Sequence, residues 1–281
     1  MSKIAGGDLR ALASFGNVVD LPDQVVSELI NHIVGKLEAQ LNEARKGAYG
    51  LGGDDLASAL VILNAWHPNV AQWAPVEAQL AEPRSHTDHI AGAIVFIGRL
   101  RDQISEPTRE GLKPLLEQLV LRPPQESILP LFHSRTDVSS VSAVALAKCF
   151  PDEVTDLSLR RLLAGKSSSR EAALEILALR GMASDLNLVS LLASDADPDV
   201  RAAAAQALAK MYADGEAYDD AKEVLAELLA APGCEVGERV SRQLSGTLSI
   251  DVRDVLTALL ESHPSALVRL RVAIARRNVD S

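Results

Sequence analysis

The sequence predicts an all-α protein built from consecutive helical hairpins. Three observations support this fold class: apolar residues recur with the helical period, aromatic residues are scarce, and one hairpin pattern returns along the second half of the chain. Hydrophobic residues make up 47% of the 281 residues but aromatic residues only 3%, so the apolar content is mainly alanine, leucine and valine. Residues of this kind are typical of closely packed helices.

The clearest hairpin lies at 188–211. Leu188, Leu191 and Leu192 recur at i, i+3 and i+4, which places them on one face of a first helix. Pro198 favours the start of a second helix, with Asp197 as its N-cap. The second helix carries an apolar stripe with the helical period, formed by Val200, Ala203, Ala204, Ala207, Leu208 and Met211. We expect the leucines of the first helix and this stripe to share one continuous core.

The same pattern recurs before and after this hairpin. Leu259-Leu260 precedes Val268-Arg269 by the same spacing that separates Leu191-Leu192 from Val200-Arg201. Related copies occupy 131–146 and 162–179, and a weaker one lies at 224–248. A single hairpin buries too little apolar area to be stable alone, so the copies are expected to stack. The sequence therefore predicts about five hairpins over 127–281, with a period of roughly 31 residues.

Two segments, DPDVRAAAAQALA at 197–209 and ALVRLRVAIA at 266–275, resemble the HEAT repeat family of armadillo-like α-solenoids. The resemblance implies a right-handed α-α superhelix that binds proteins and, less often, nucleic acid. It also implies that the Asp and Arg of the D-x-x-V-R pattern bridge neighbouring repeats. This assigns a structural role to Asp197, Arg201, Arg269 and Arg170. The first copy departs from the pattern, because Ser139 stands at the arginine position.

Residues 1–122 are predicted to form an irregular helical half that continues into the repeats after the Pro123-Pro124 break. The same break fits equally a boundary between two units that move. The longest apolar stripe runs through 21–46 and consists of Val26, Ile30, Ile33, Leu37 and Leu41. It fits either a helix packed at the end of the array or the seam of a coiled-coil dimer. Residues 90–100 are apolar on nearly every side, which predicts a central buried helix with 107–121 as its partner.

Patterns that could indicate a cofactor or a metal have simpler explanations. The glycine cluster at 47–53 follows a helix and lacks the Lys-Ser/Thr of a phosphate-binding loop, so a turn is expected. His86, Asp88 and His89 have no fourth ligand at a matching spacing, and no metal is expected. The histidines are scattered, and no nucleophile or carboxylate pair stands in a catalytic context. We therefore predict no catalytic residue and no cofactor.

Charge and cysteine usage narrow the expected partners. The net charge is -10, with 13 basic against 17 acidic residues up to Phe150 and 15 against 21 after it. Neither half is basic, which disfavours nucleic acid and anionic membranes. Cys149 and Cys234 lie far apart without C-x-x-C spacing, and no segment has the pattern of a signal peptide or a membrane span. These features predict a cytoplasmic protein.

The function that these patterns favour is a non-enzymatic scaffold or adaptor that binds a protein partner. The alternative is a nucleic-acid-binding protein of the same family, including a DNA glycosylase. Such an enzyme would be expected to show a strongly basic face with aromatic residues, and the chain has few of either.

Three groups of residues are candidates for partner contacts. Gln206 and Lys210 are expected to point outward from a second helix, and second helices usually line the concave surface in the HEAT family. The last helix concentrates positive charge, and its candidate contacts are Arg271, Arg276 and Arg277, which would suit an acidic partner segment. The tryptophans, Trp66 and Trp73, fit either buried wedges or an exposed partner-binding anchor.

Overall fold

The computed structural model describes residues 21–46, 56–82, 87–122, 137–151, 156–214, 218–230, 236–237, 240–241, 250–261 and 263–277. These residues form helices joined by turns and contain no β-strand, which confirms the all-α prediction. None of the helices in these ranges combines the length and the apolar character that a bilayer span requires. The chain divides into two compact units, Met1–Ser158 and Leu159–Ser281.

The first unit contains helices that surround one hydrophobic core. In chain order the described helices are α1 Asp23–Arg45, α2 Leu56–Trp66, α3 Ala74–Ala81, α4 Thr87–Arg99, α5 Glu106–Val120 and α6 Val138–Cys149. Helix α2 packs against α1, α3 and α4, and helix α6 packs against α4 and α5. The core extends from Val26 on α1 to Cys149 at the end of α6.

The apolar stripe of α1 is buried inside this unit. Its five residues, Val26, Ile30, Ile33, Leu37 and Leu41, are all at most 4% exposed. Helix α1 directs them toward α2 and α3, its packing partners. Because the stripe is already covered by the chain itself, it cannot also form the seam of a coiled-coil dimer, and the packed-helix interpretation holds.

The most completely buried helix is α2 rather than α4. Every residue from Leu56 to Ala65 is buried, whereas α4 leaves Val95 and Phe96 only partly covered. Helix α2 contacts α1, α3 and α4, so nearly all of its side chains have apolar neighbours. Its sequence is therefore apolar at almost every position and shows no helical period. Residues 90–100 nevertheless form a largely buried helix as predicted, because Ile90, Ile94 and Ile97 are fully buried. Their predicted partner, 107–121, packs mainly against α6.

Helix α6 belongs to the first unit, although its sequence was assigned to the first repeat. It lies against α4 and α5, and an added Cβ at Gly98 of α4 would come within 3.2 Å of the Cα of Ala145. This close approach favours a glycine on one helix and a small residue on the other. Ser139 donates its hydroxyl to the carbonyl oxygen of Val120 at the end of α5. That bond gives the serine at the arginine position a role in joining α5 to α6.

The second unit follows the predicted alternation of helices. The described helices from residue 156 onward are α7 Asp156–Leu163, whose first three residues belong to the first unit, α8 Ser167–Arg180, α9 Leu186–Leu192, α10 Pro198–Asp214, α11 Tyr218–Ala230, α12 Ile250–Glu261 and α13 Ala266–Arg277. Three predicted hairpins thus correspond to α7–α8, α9–α10 and α12–α13. The weaker copy begins with α11, and residues 236–237 and 240–241 of its second segment are helical.

Equivalent helices of successive pairs lie side by side in the second unit. Helix α10 packs against α8, and α11 packs against both α9 and α12. The second helices α8 and α10 therefore contact each other, as do the first helices α9 and α11 and the first helices α11 and α12. The superhelical path and its handedness stay predictions of the HEAT resemblance.

One leucine of the best hairpin lies outside the core that was expected to include it. Leu192 is buried, but Leu191 is 70% exposed. Helix α9 is short, and its buried residues are Leu186, Val189 and Leu192, spaced by three. Leu191 falls on the opposite side of the helix. The prediction is correct for Leu192, Val200, Ala204 and Leu208, which are buried, and wrong for Leu191.

Candidate functional site

The second helices α8, α10 and α13 each have an arginine as their fourth residue. This arginine donates hydrogen bonds to the backbone of the turn that precedes the helix. Arg201 of α10 donates from Nη1 to the carbonyl oxygens of Asp195 and Ala196, at 2.8 and 3.0 Å. Arg269 of α13 makes the equivalent pair of bonds, to the carbonyls six and five residues before it. Arg170 of α8 donates from Nη1 to the carbonyl of Gly165 at 2.8 Å. These repeated contacts place α8, α10 and α13 in one common register.

A partly buried ion pair joins two consecutive helix pairs. Arg170 donates from Nε and Nη2 to the two carboxylate oxygens of Asp195, at 2.8 and 3.0 Å. The backbone N–H of Asp197 donates to the same carboxylate at 2.9 Å. The Arg170 hydrogen bonds and this backbone donor hold the pKa of Asp195 below its ordinary value of 3.8. Asp195 therefore links the turn before α10 to helix α8.

The residue that bridges the repeats is thus Asp195, and the assignment of this role to Asp197 is corrected. Asp197 instead accepts the N–H of Asp199 at 2.9 Å, which confirms it as the N-cap of α10. Its position directly before Pro198 turns its carboxylate toward its own helix. Within the described ranges, Arg170 makes a bridge to the next pair, whereas the contacts shown for Arg201 and Arg269 stay inside their own pairs.

Removing the charge of Asp195 should destabilise the protein at neutral pH. We expect Asp195→Asn to lower the free energy of unfolding by about 1–3 kcal/mol, because two charge-assisted bonds are weakened. Since the folded-state pKa is depressed, this contribution is present above about pH 4 and disappears as pH falls through the folded-state value. Urea unfolding of the wild type and the variant at about pH 7 and about pH 3 measures both effects.

The matched control for this prediction is Arg170→Gln and the double variant. Because the two residues share one interaction, the double variant should lose less stability than the sum of the single losses. A strictly additive loss, or a difference between wild type and Asp195→Asn that is unchanged at low pH, would contradict the proposed bridge.

The last helix carries an exposed apolar stripe. Leu267, Leu270 and Ile274 are 44%, 56% and 51% exposed, and their spacing of three and four places them on one face of α13. The opposite face is buried through Val268 and Val272. Helix α13 therefore has two apolar faces, and only one of them is covered. We call Leu267, Leu270, Ile274 and the adjacent Arg271 the α13 surface.

Comparison with α10 shows that the position of Leu270 is covered elsewhere in the same unit. Aligning Arg201 with Arg269 pairs Ala202 with Leu270 and Ala205 with Ala273. Ala202 and Ala205 are at most 2% exposed, whereas Leu270 and Ala273 are exposed. Helix α10 packs against α8, α9, α11 and α12, and the main contacts of α13 in the described part of the chain are with α12. The α10 residues equivalent to Leu267 and Ile274 are Asp199, which is exposed, and Gln206, which is partly exposed. Leu270 therefore marks the point at which α13 exposes a position that α10 buries.

A buried histidine anchors the N-terminal end of α13. The His263 side chain is 3% exposed, and its Nδ1 accepts the N–H of Ser265 at 3.1 Å. Its Nε2 has no hydrogen-bond partner among the described residues and lies against Gly237, where an added Cβ would come within 2.5 Å of that atom. Glycine is therefore required at 237. Burial, with a smaller effect from the Arg269 charge, lowers the pKa of His263 below 6.5.

Acidification should destabilise the α12–α13 pair through His263. The folded-state pKa lies below the unfolded value of 6.5, so the unfolded chain takes up a proton first as pH falls. Stability contributed by the neutral ring is full above about pH 7 and declines between that pH and the folded-state pKa. We expect His263→Asn, which keeps an acceptor near Ser265 but does not titrate, to show a shallower loss of Tm between about pH 7 and about pH 5. Identical slopes for both proteins would contradict this role.

The remaining candidates for partner contact have different surroundings. Gln206 and Lys210 on α10 are partly exposed, and so is Arg271 on α13. Arg276 and Arg277 belong to α13, but their side chains lie outside the described residues. These residues all belong to the second unit.

The two tryptophans belong to the first unit and differ from each other. Trp66 at the end of α2 is 37% exposed, whereas Trp73 packs against the hydrophobic core. Asn64 holds the turn between them by exchanging two hydrogen bonds with the backbone of Gln72, at 2.7 and 2.9 Å. The wedge interpretation therefore fits Trp73, and an exposed contact is open only to Trp66.

The apolar residues of the α13 surface were not among the predicted contacts. Their signal is present in the sequence, because Leu267, Leu270 and Ile274 form a second apolar stripe beside the one containing Val268 and Val272. A helix with two apolar faces is expected to be covered on both. Periodicity alone, however, does not show which of the two faces the chain itself covers.

Within the described ranges, no group of three or more His, Cys, Asp or Glu side chains is placed to hold a metal ion. The metal-site prediction concerns His86, Asp88 and His89, whose side chains lie outside those ranges. The glycine cluster at 47–53 also lies outside them. Comparison of the chain with protein-family models, curated proteins and solved structures found no match.

Proposed function

We propose that the protein is a non-enzymatic scaffold of stacked HEAT-like helix pairs that binds a protein partner through the α13 surface. The observation that carries the proposal is the exposure of Leu267, Leu270 and Ile274 on one face of a helix. Singly exposed leucines are common on protein surfaces, but an aligned apolar stripe is typical of an interaction site. Helix α10 is covered by other helices at Ala202, the position equivalent to Leu270, which supports a helical surface as the cover of Leu270 as well.

The charge of α13 supports the choice of a protein partner. Residues 266–277 include four arginines and no acidic residue, in a chain whose net charge is -10. Arginine beside apolar side chains is frequent in protein interfaces. Duplex DNA requires a broader basic surface than one helix provides, since its affinity depends on neutralising many phosphates. A cytoplasmic location is part of the proposal and is supported by Cys149, a buried thiol without a disulfide partner.

Site-specific photo-crosslinking tests the proposed surface. A benzophenone amino acid at Leu270 should form a discrete protein adduct when the full chain is irradiated in a native lysate. The matched control is the same amino acid at Leu191, an exposed leucine on α9 of the same unit, where no such adduct is expected. Adducts at neither position, equal adducts at both, or adducts with nucleic acid would overturn the proposal.

Charge reversal tests the contribution of the arginines. Reversing Arg271, Arg276 and Arg277 to glutamate should reduce the yield of the Leu270 adduct, and the reduction should shrink at high salt as the charges are screened. Far-UV circular dichroism of the triple variant controls for folding. An unchanged yield from a folded triple variant would show that the arginines make no contribution.

A further inference from the structure

The geometry of the α13 surface indicates what shape of partner fits it. Leu267, Leu270 and Ile274 are separated by three and four residues, the spacing that brings side chains to the seam between two packed helices. On α10 the position equivalent to Leu270 is Ala202, which is covered by helices of the same unit. A helix laid along α13 would therefore contact all three apolar side chains at once, whereas an extended strand has a different side-chain period.

A difference in side-chain size sets the distance at which this helix would lie. The covered position on α10 is Ala202, and the equivalent exposed position on α13 is Leu270. Alanine lets neighbouring helix axes approach closely, and leucine holds them further apart and fills the space between them. The incoming helix must therefore present its own groove between large apolar side chains, as in leucine-rich helix pairs.

The charges beside the stripe indicate what flanks the apolar face of the partner. Arg271 follows Leu267 by four residues and precedes Ile274 by three, so it borders the stripe. Arg269 is exposed on the same helix, and the whole segment 266–277 lacks acidic residues. Acidic residues on either side of the partner's apolar stripe would be complementary to this border.

The same charges disfavour a symmetric contact between two copies of this chain. A twofold pairing through the α13 surface would place one arginine-rich segment against another. Like charges brought together in an interface oppose association. The helix that fits the surface therefore differs in charge from α13 itself.

We propose that the α13 surface binds an acidic amphipathic α-helix of a partner protein, with leucine or isoleucine at positions spaced by three and four. This inference rests on the proposed function and specifies the chemistry of the partner. The apolar seam provides the contact area, and the acidic flanks pair with Arg271 and the neighbouring arginines. The positions of the acidic residues in the partner helix determine in which direction that helix lies along α13.

Peptide binding to the full chain tests the proposed chemistry. The probe is a fluorescent peptide of about 18 residues, roughly five helical turns, with leucines at the stated spacing and glutamates on both sides of the stripe. One control peptide has the same composition in scrambled order, and another has lysine in place of glutamate. Fluorescence anisotropy should show binding of the probe at least about tenfold tighter than that of either control.

Variants of the protein locate the binding and separate its two components. Leu270→Asp should weaken binding of the probe by at least about tenfold, whereas Leu191→Asp, a control at an exposed leucine of another helix, should leave it unchanged. Arg271→Glu should weaken binding of the glutamate probe and strengthen binding of the lysine peptide. Circular dichroism of each variant shows whether the fold is retained.

Several results would overturn the inference. Equal binding of the probe and the scrambled peptide would show that the spacing of the leucines is not recognised. Equal binding of the glutamate and lysine peptides would show that charge complementarity makes no contribution. Concentration-dependent dimerisation of the wild type that Leu270→Asp abolishes would identify a second copy as the occupant. If Leu270 crosslinks a protein in lysate and the acidic probe does not bind, the proposed function stands and the partner chemistry is wrong. Absence of a Leu270 adduct removes the proposed function itself.

Discussion

Replacing Ala204 with aspartate is expected to lower the free energy of unfolding by about 3–5 kcal/mol. Ala204 is fully buried on α10, the helix that packs against α8, α9, α11 and α12. A carboxylate at this position loses its hydration, and the neighbouring helix α8 offers buried apolar side chains such as Ala173 and Leu177. Urea unfolding followed by far-UV circular dichroism measures the loss.

The control for this variant lies on the same helix. Gln206 is partly exposed, so Gln206→Asp introduces the same charge where water still reaches the side chain. We expect it to change stability by less than about 1 kcal/mol. A soluble Ala204→Asp protein as stable as the wild type would show that α10 is not enclosed by its neighbours and would remove the basis for the stacked helix pairs.

Truncating Leu60 to alanine should destabilise the protein by about 2–5 kcal/mol. Leu60 is completely buried at the middle of α2, and α2 is enclosed by α1, α3 and α4. The substitution removes buried methyl groups and leaves a cavity that close-packed neighbours fill only in part. Thermal unfolding of the variant measures the expected decrease in Tm.

The same substitution at Leu270 provides the contrast. Because Leu270 is 56% exposed, Leu270→Ala should change stability by no more than about 0.5 kcal/mol. A large loss at Leu270 would show that the chain itself covers the α13 surface, which would contradict its availability to a partner. A small loss at Leu60 would contradict the position of α2 in the core of the first unit.

Helix content and helix faces could be predicted from the sequence because both depend on residues close together in the chain. The stripe of α1 from Val26 to Leu41 and the buried face of α10 from Val200 to Met211 follow the helical period, and the structure buries both. The start of α10 was also predictable. Asp197 and Pro198 favour a helix N-terminus through bonds within a few residues, and Asp197 caps α10 as expected.

The structure was needed wherever the answer depends on a neighbour distant in sequence. Leu191 and Leu192 are adjacent and chemically identical, yet only Leu192 faces the core. Asp195 and Asp197 are both plausible partners for an arginine, and only Asp195 lies within reach of Arg170. The segment that became α6 has the pattern of a repeat, but it packs with α4 and α5 in the first unit.

From the sequence alone we could predict that the chain is helical and that helices such as α1 and α10 carry an apolar stripe. The exposure of Leu270 and the burial of Val272 on α13 follow only from the packing of the helices. Local periodicity specifies which side chains share a face, because it reflects the geometry of one helix. Whether that face meets another helix or water depends on long-range packing, which no single segment of the sequence specifies.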